Sequence, residues 1–122
     1  MRDSSITNKE RLKQILEAIS KINDFIDRKS KESFLNDAVL QNAILFQFTI
    51  IGEAVVHIDR DLLNKYPYSW HNIRSFRNFI LHEYHAIEIW IVWETAKNDL
   101  PELKQVIDTI LDKEFKVHPE NE

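Results

Sequence analysis

The sequence predicts an all-α protein, an antiparallel bundle of four to five helices that dimerises. Glycine occurs once in 122 residues, whereas folds rich in β-hairpins or phosphate-binding glycine loops need several glycines for backbone angles with positive φ. Hydrophobic residues make up 43% of the chain and charged residues 30%, which is typical of one globular domain with a core. We therefore expect residues 1–122 to form a single helical domain with a frayed polar tail at 116–122.

A capping box predicts the start of the first helix. Thr7 is followed three residues later by Glu10, so each side chain can bond a backbone N–H at the other's position. Apolar residues then recur at spacings of three and four, which predicts a helix over about residues 8–28. Its opposite face is charged and indicates a solvated surface.

A second, long helix is predicted from Ser30 or Ser33, either of which can cap it, to a point before Tyr66. Residues 44–51 of this helix are apolar almost all the way round, so we expect it to be buried on two sides. A partner chain can cover the second side, which is the first indication of a dimer. The alternative is a central helix wrapped wholly by its own domain.

The only glycine lies inside this long helix, where glycine is about 1 kcal/mol less favourable than alanine. Its retention there predicts that another helix packs closely against Gly52. The next residue, Glu53, can point either toward a cation or toward water.

Three shorter helices complete the predicted bundle, and they cover about Trp70–Leu81, Ile87–Asn98 and a last segment that reaches Phe115. Ser69 can cap the first of them, and Asp99 with Glu102 forms a second capping box. The pattern leaves open whether the last two helices are separate or one kinked rod.

Charge and cysteine content exclude several classes of protein. The formal net charge is −4, and a sequence-independent DNA-binding coat would be strongly basic. Because cysteine is absent, the chain has no disulfide, no thiol nucleophile and no thiolate metal ligand. Without a signal-like segment or an uninterrupted run of about 18 apolar residues, we expect a soluble, cytoplasmic protein with no membrane partner.

One local basic cluster lies between residues 70 and 85. It contains three of the five histidines and two arginines with a single acid, namely His71, Arg74, Arg77, His82, Glu83 and His85. On a helix, Asn78 and His82 share a ridge, whereas Arg77 and His82 lie about 140° apart. Arg77 and His82 can therefore meet on one ligand only if the helix end bends or a second copy completes the site.

An arginine, a histidine and an amide suit cleavage of RNA without a metal. A histidine can take the proton of a 2′-hydroxyl or give one to the leaving 5′-oxygen, and an arginine can stabilise the charge on the phosphate. The plainer interpretation is that these are structural or surface groups. His82 and His85 also form an HxxH pair, but no further ligand cluster accompanies it, so we expect neither a metal nor a cofactor.

Residues 77–84 spell R-N-x-x-x-H-x-Y, which resembles the RX4HXY signature of the HepT-like toxins in the HEPN superfamily. Further landmarks follow the family's order: I-G-E-A at 51–54, a tryptophan at Trp70 and Leu-Pro-x-Leu at 100–103. Together they extend over nearly the whole chain. Where many relatives have Gly-Met before the motif arginine, this chain has Ser-Phe.

The resemblance implies a dimeric HEPN-like bundle whose two motifs form a metal-independent endoribonuclease site for tRNA or mRNA. It implies that Arg77 and His82 are the catalytic pair, with Asn78 as the accompanying polar residue. Tyr84 matches the tyrosine that the family's antitoxin, a minimal nucleotidyltransferase called MntA, modifies with AMP. Arg74 is expected to add a contact to the RNA phosphates. The alternative is a non-catalytic HEPN module that binds nucleotides or docks a nucleotidyltransferase.

Overall fold

The computed structural model describes residues 6–115, and within that range it contains helices and no strand. In chain order the helices are α1 (Asn8–Ile26), α2 (Lys31–Leu35), α3 (Ala38–His57), α4 (Arg60–Asn64), α5 (Trp70–His82), α6 (Ile89–Asn98) and α7 (Leu100–Phe115), with a 3₁₀ turn at Tyr84–Ala86. The predicted all-α fold is confirmed. The predicted frayed tail at 116–122 lies outside the described residues.

The first helix begins where the capping box predicts. The Thr7 side chain accepts the Glu10 N–H at 3.1 Å, and the Glu10 carboxylate accepts the Thr7 N–H at 2.9 Å. The helix ends at Ile26, two residues before the predicted end. The chain then turns at Arg28, whose φ of 62° is incompatible with a continuing right-handed helix.

The prediction of one long second helix was wrong, because the chain divides there into α2, α3 and α4. Ser30 caps the short α2, and the Asp37 side chain accepts the Leu40 N–H and starts α3 afresh. At the other end Ile58 is extended, with φ −85° and ψ 139°. The Asp59 N–H bonds the Asn8 side chain at the start of α1 rather than a carbonyl one turn back in α3.

The long helix α3 is the centre of the bundle. It packs on α1 and α5, and its apolar residues are among the most deeply buried in the core. The chain itself therefore buries nine of the twenty residues of this helix, and coverage of the remaining side by a partner chain stays a prediction. Val39 and Phe46 are its most exposed apolar residues, with 80% and 62% of their surface accessible to solvent.

By length and mean hydropathy α3 also resembles a membrane span. Polar residues interrupt it, however, and 44% of its most apolar window is buried inside the bundle. Its packing on α1 and α5 is that of a core helix of the bundle.

The motif helix α5 begins at Trp70 as predicted, but Ser69 forms no side-chain capping bond. Trp70 fixes this end instead, because its indole N–H lies 3.0 Å from the Tyr66 carbonyl and 3.2 Å from the Leu63 carbonyl. α6 and α7 are separate helices divided only by Asp99, which answers the question left open by the sequence.

Candidate functional site

Helices α3 and α5 meet at the only glycine of the chain. A Cβ atom on Gly52 would lie 2.2 Å from the Cβ of Arg77 and 2.7 Å from its Cγ, closer than real atoms approach. The predicted close packing at Gly52 is confirmed, and the neighbour is the motif arginine itself. Glycine is required here for space rather than for an unusual backbone conformation, since its φ is not positive.

The Arg77 guanidinium is held from two sides. Its Nη2 donates to the Glu53 carboxylate at 2.5 Å, and its Nη1 donates to the Asn78 side-chain oxygen at 2.8 Å. The other carboxylate oxygen of Glu53 lies 2.8 Å from His57 Nε2, one turn along α3. Of the two orientations that the sequence allowed for Glu53, the structure therefore has the one toward a cation.

The electrostatics of this cluster keep Glu53 ionised. Partial burial alone would raise the pKa of Glu53, but hydrogen bonds from His57 and Arg77, together with the Arg77 charge, hold that pKa below its ordinary value. At neutral pH the arginine therefore faces a carboxylate, and the ion pair fixes its side chain with 25% of it still exposed to solvent.

An open groove of about 490 Å³ begins at this arginine and runs between α1 and α5 over a floor formed by α3. Its lining is mixed in charge and polarity: Gln14, Glu17, Ala18, Lys21, Gln47, Thr49, Ile50, Glu53, Arg77 and Leu81. Sequence reasoning missed the groove and its most buried polar residue, Gln47. A polar side chain inside the apolar run 44–51 was the signal that could have found it.

His82 lies at the last position of α5 and is exposed. Among residues 6–115 it has no hydrogen-bond or ion-pair partner. The helix continues without interruption from Arg77 to His82, so these two residues stay on different faces, as their spacing predicts. One chain therefore holds the arginine firmly but does not bring the histidine to it.

Tyr84 follows in the 3₁₀ turn, half exposed, and its hydroxyl donates to the Asn42 side chain on α3. The edge of its ring faces His85, with the ring centres 6.5 Å apart. Tyr84 is thus placed at the surface beside the motif, where a second protein can reach it.

Arg74 lies on the same side of α5 as Arg77, one turn earlier. Its Nε is buried with no hydrogen-bond partner in the described chain. Burial and, to a lesser extent, the charge of Arg60 lower the pKa of Arg74. The described residues contain no group of three or more His, Cys, Asp or Glu side chains that could hold a metal ion.

Comparison with known proteins shows the family that this chain resembles. A family model described as "Ribonuclease HepT-like" matches residues 15–110. "Putative RNase MJ1216" of Methanocaldococcus jannaschii is 33% identical over 101 residues, covering 82% of this chain and 84% of the relative.

Two relatives from other organisms agree. "Putative RNase TTE0752" of Caldanaerobacter subterraneus is 33% identical over 104 residues, or 84% of this chain and 93% of the relative. "Probable ribonuclease HepT" of Thermococcus cleftensis is 33% identical over 99 residues, or 80% and 90%. No solved structure gives a significant match.

Proposed function

The chain belongs to the HepT-like ribonuclease family, and we propose that it is a metal-independent endoribonuclease toxin of the HepT/MntA type. Its substrate is tRNA or mRNA in the cytoplasm, and it works without a membrane or metal partner. The observation that carries this proposal is the fixed arginine. Arg77 is oriented by Glu53 and Asn78 on the helix that ends at the exposed His82.

In the proposed reaction the RNA supplies its own nucleophile. The 2′-oxygen attacks the neighbouring phosphorus, the bond from phosphorus to the 5′-oxygen breaks, and a 2′,3′-cyclic phosphate and a free 5′-hydroxyl remain. His82 takes the proton from the 2′-hydroxyl, and a second histidine gives a proton to the leaving 5′-oxygen. Arg77 stabilises the charge that builds on the phosphate, and Arg74 contacts a neighbouring phosphate.

A homodimer supplies the second histidine in this proposal. Exposed apolar side chains support it, since Val39 and Phe46 lie seven residues apart on one face of α3. Asn42 is on the same face and bonds Tyr84, so this face adjoins the end of the motif helix. A second copy that covers Val39 and Phe46 would bring its own His82 near the His82 of the first copy.

The test is cleavage of labelled RNA by the purified protein in EDTA. We expect cleavage by the wild type and by His71→Ala, a control that removes an exposed histidine on the same helix. We expect the rate to fall by at least about a hundredfold in His82→Ala and in Arg77→Ala. Cleavage that persists undiminished in both variants would refute the catalytic assignment. Binding of RNA without cleavage by the wild type would instead favour the non-catalytic module.

We also propose that a nucleotidyltransferase antitoxin of the MntA kind neutralises the enzyme by AMPylation of Tyr84. Tyr84 is half exposed and its hydroxyl is bonded only to a neutral amide, whereas the Tyr66 and Tyr68 hydroxyls bond carboxylates. An AMP group on Tyr84 would place a phosphate near the motif, where it can occupy the position of the RNA phosphate.

Mass spectrometry of protein coexpressed with the nucleotidyltransferase from a neighbouring gene tests this mechanism. We expect AMP adducts on the peptide that contains Tyr84 and none in Tyr84→Phe, which should remain toxic in the presence of the partner. An unmodified Tyr84 in a neutralised complex would remove the mechanism.

A further inference from the structure

The groove beside Arg77 contains a buried amide without a partner. Gln47 is 7% exposed, and its side-chain oxygen is fully buried with no hydrogen bond in the described chain. Leaving a buried polar atom unpaired destabilises a free protein. Because Gln47 lines the open groove, rotation of its side chain would present the amide to a ligand that supplies the missing partner.

The groove extends from this amide to the motif arginine. Gln47 and Glu53 are six residues apart on α3, which corresponds to about 9 Å along the helix axis. Glu53 holds Arg77, so the arginine marks one end of the groove and the amide lies further along it. A phosphate bound at Arg77 would thus leave its attached nucleoside within reach of Gln47.

The lining favours a base over a second phosphate. Two carboxylates, Glu17 and Glu53, oppose two cations, Lys21 and Arg77, so the groove has no net positive charge to attract another anion. Apolar side chains of Ala18, Ile50 and Leu81 supply surface for the faces of a flat ring. The volume of about 490 Å³ lies within the roughly 300–1,000 Å³ of small-ligand pockets.

We propose that this groove binds the nucleobase next to the scissile phosphate, and that Gln47 selects adenine there. Adenine presents a donor at N6 and an acceptor at N7 side by side, which matches both groups of a glutamine amide. The proposal rests on the proposed function, since the phosphate at Arg77 is the one that the enzyme cuts. The adenine specificity and the role of Gln47 go beyond it.

Nucleotide binding to the full-length His82→Ala variant tests the subsite without cleavage. Adenosine 3′-monophosphate should bind at least about fivefold more tightly than uridine 3′-monophosphate, because one bidentate amide contact gives this much discrimination. In the His82→Ala background, Gln47→Leu should remove the preference, whereas Gln105→Leu, a change at an exposed glutamine of α7, should keep it. Equal binding of the two nucleotides, or a preference that survives Gln47→Leu, would overturn the proposal.

A second measurement covers the case in which Gln47→Leu does not fold. The NMR signals of the Gln47 side-chain amide in His82→Ala should shift on addition of adenosine 3′-monophosphate, and unshifted signals at saturation would overturn the subsite. These measurements distinguish a failure of the proposed subsite from a failure of the proposed ribonuclease activity. RNA cleavage without any base preference would contradict only the subsite, and adenine-selective binding by a protein that cleaves no RNA would contradict only the ribonuclease.

Discussion

The two ends of the motif differ in how much of their setting a single chain provides. At Arg77, a glycine brings two helices together, a carboxylate and an amide hold the guanidinium, and three-quarters of the side chain is buried. At His82, five residues later, the helix ends and the imidazole is exposed without a hydrogen-bond partner in residues 6–115. The same short helix therefore holds Arg77 in place by contacts within one chain and leaves His82 exposed at its end.

The two catalytic candidates therefore depend on different parts of the molecule. The position of the arginine follows from the fold of one chain. In our proposal the histidine acquires its surroundings from outside, through bound RNA and a second copy. Variants at the two ends should consequently have different effects on stability even where their effects on activity agree.

Variants at Arg77 and His82 should lose the most activity, and they should differ from each other in stability. His82→Ala and Arg77→Ala should each lower the rate of RNA cleavage by about 10²–10⁴, because the first removes a positioned acid or base and the second removes a group that stabilises charge in the transition state. Only Arg77→Ala should lower the midpoint of thermal unfolding, since it leaves Glu53 without its arginine while His82 has no partner to lose. An equal loss of stability in His82→Ala would show that contacts within the chain hold His82 as well.

Gly52→Ala should destabilise the contact between α3 and α5 at Arg77, with an effect of intermediate size. The new methyl group would clash with the Arg77 Cβ and force α3 and α5 apart, at a cost of about 1–3 kcal/mol in the free energy of unfolding. Urea unfolding measures this change in the free energy of unfolding. A double-mutant cycle with Arg77→Gly is the control, because removal of the Arg77 side chain should reduce the cost of Gly52→Ala. An unchanged cost in that background would contradict the clash.

The smallest expected effect concerns the ion pair. Glu53→Gln should lower stability by about 0.2–1 kcal/mol at neutral pH, the range of partly exposed pairs, and Glu17→Gln across the groove should lower it less. Because the pKa of Glu53 is lowered in the folded protein, this stabilisation is complete above the unfolded-state value of about 4.5 and is lost as pH falls through the folded-state value.

Unfolding midpoints measured from pH 7 to pH 3 check this sign. The difference between wild type and Glu53→Gln should shrink toward the acidic end. A difference that grows with acidity would mean that the ion pair does not lower the pKa of Glu53.

Local patterns in the sequence predicted much of the fold. The Thr7 capping box, the start of α5 at Trp70 and the close packing at Gly52 all depend on neighbouring residues or on the intrinsic properties of one residue type. The long second helix was predicted wrongly because the apolar repeat continues past Asp59 to Leu62 and no proline or glycine lies at Asp37 or Asp59 to mark a boundary. Their side-chain and backbone bonds to Leu40 and Asn8 are what interrupt it.

Motifs and helical periodicity were sufficient for the class of fold, the family and the angular separation of Arg77 from His82, because periodicity sets which residues share a face. The orientation of Glu53 toward Arg77, the unpaired Gln47 beside a groove and the exposed His82 became apparent only from the packing of the helices. These facts depend on residues tens of positions apart, such as Glu53 and Arg77, which the packing of α3 on α5 brings within hydrogen-bond distance. Periodicity along one helix carries no information about which neighbour will face it.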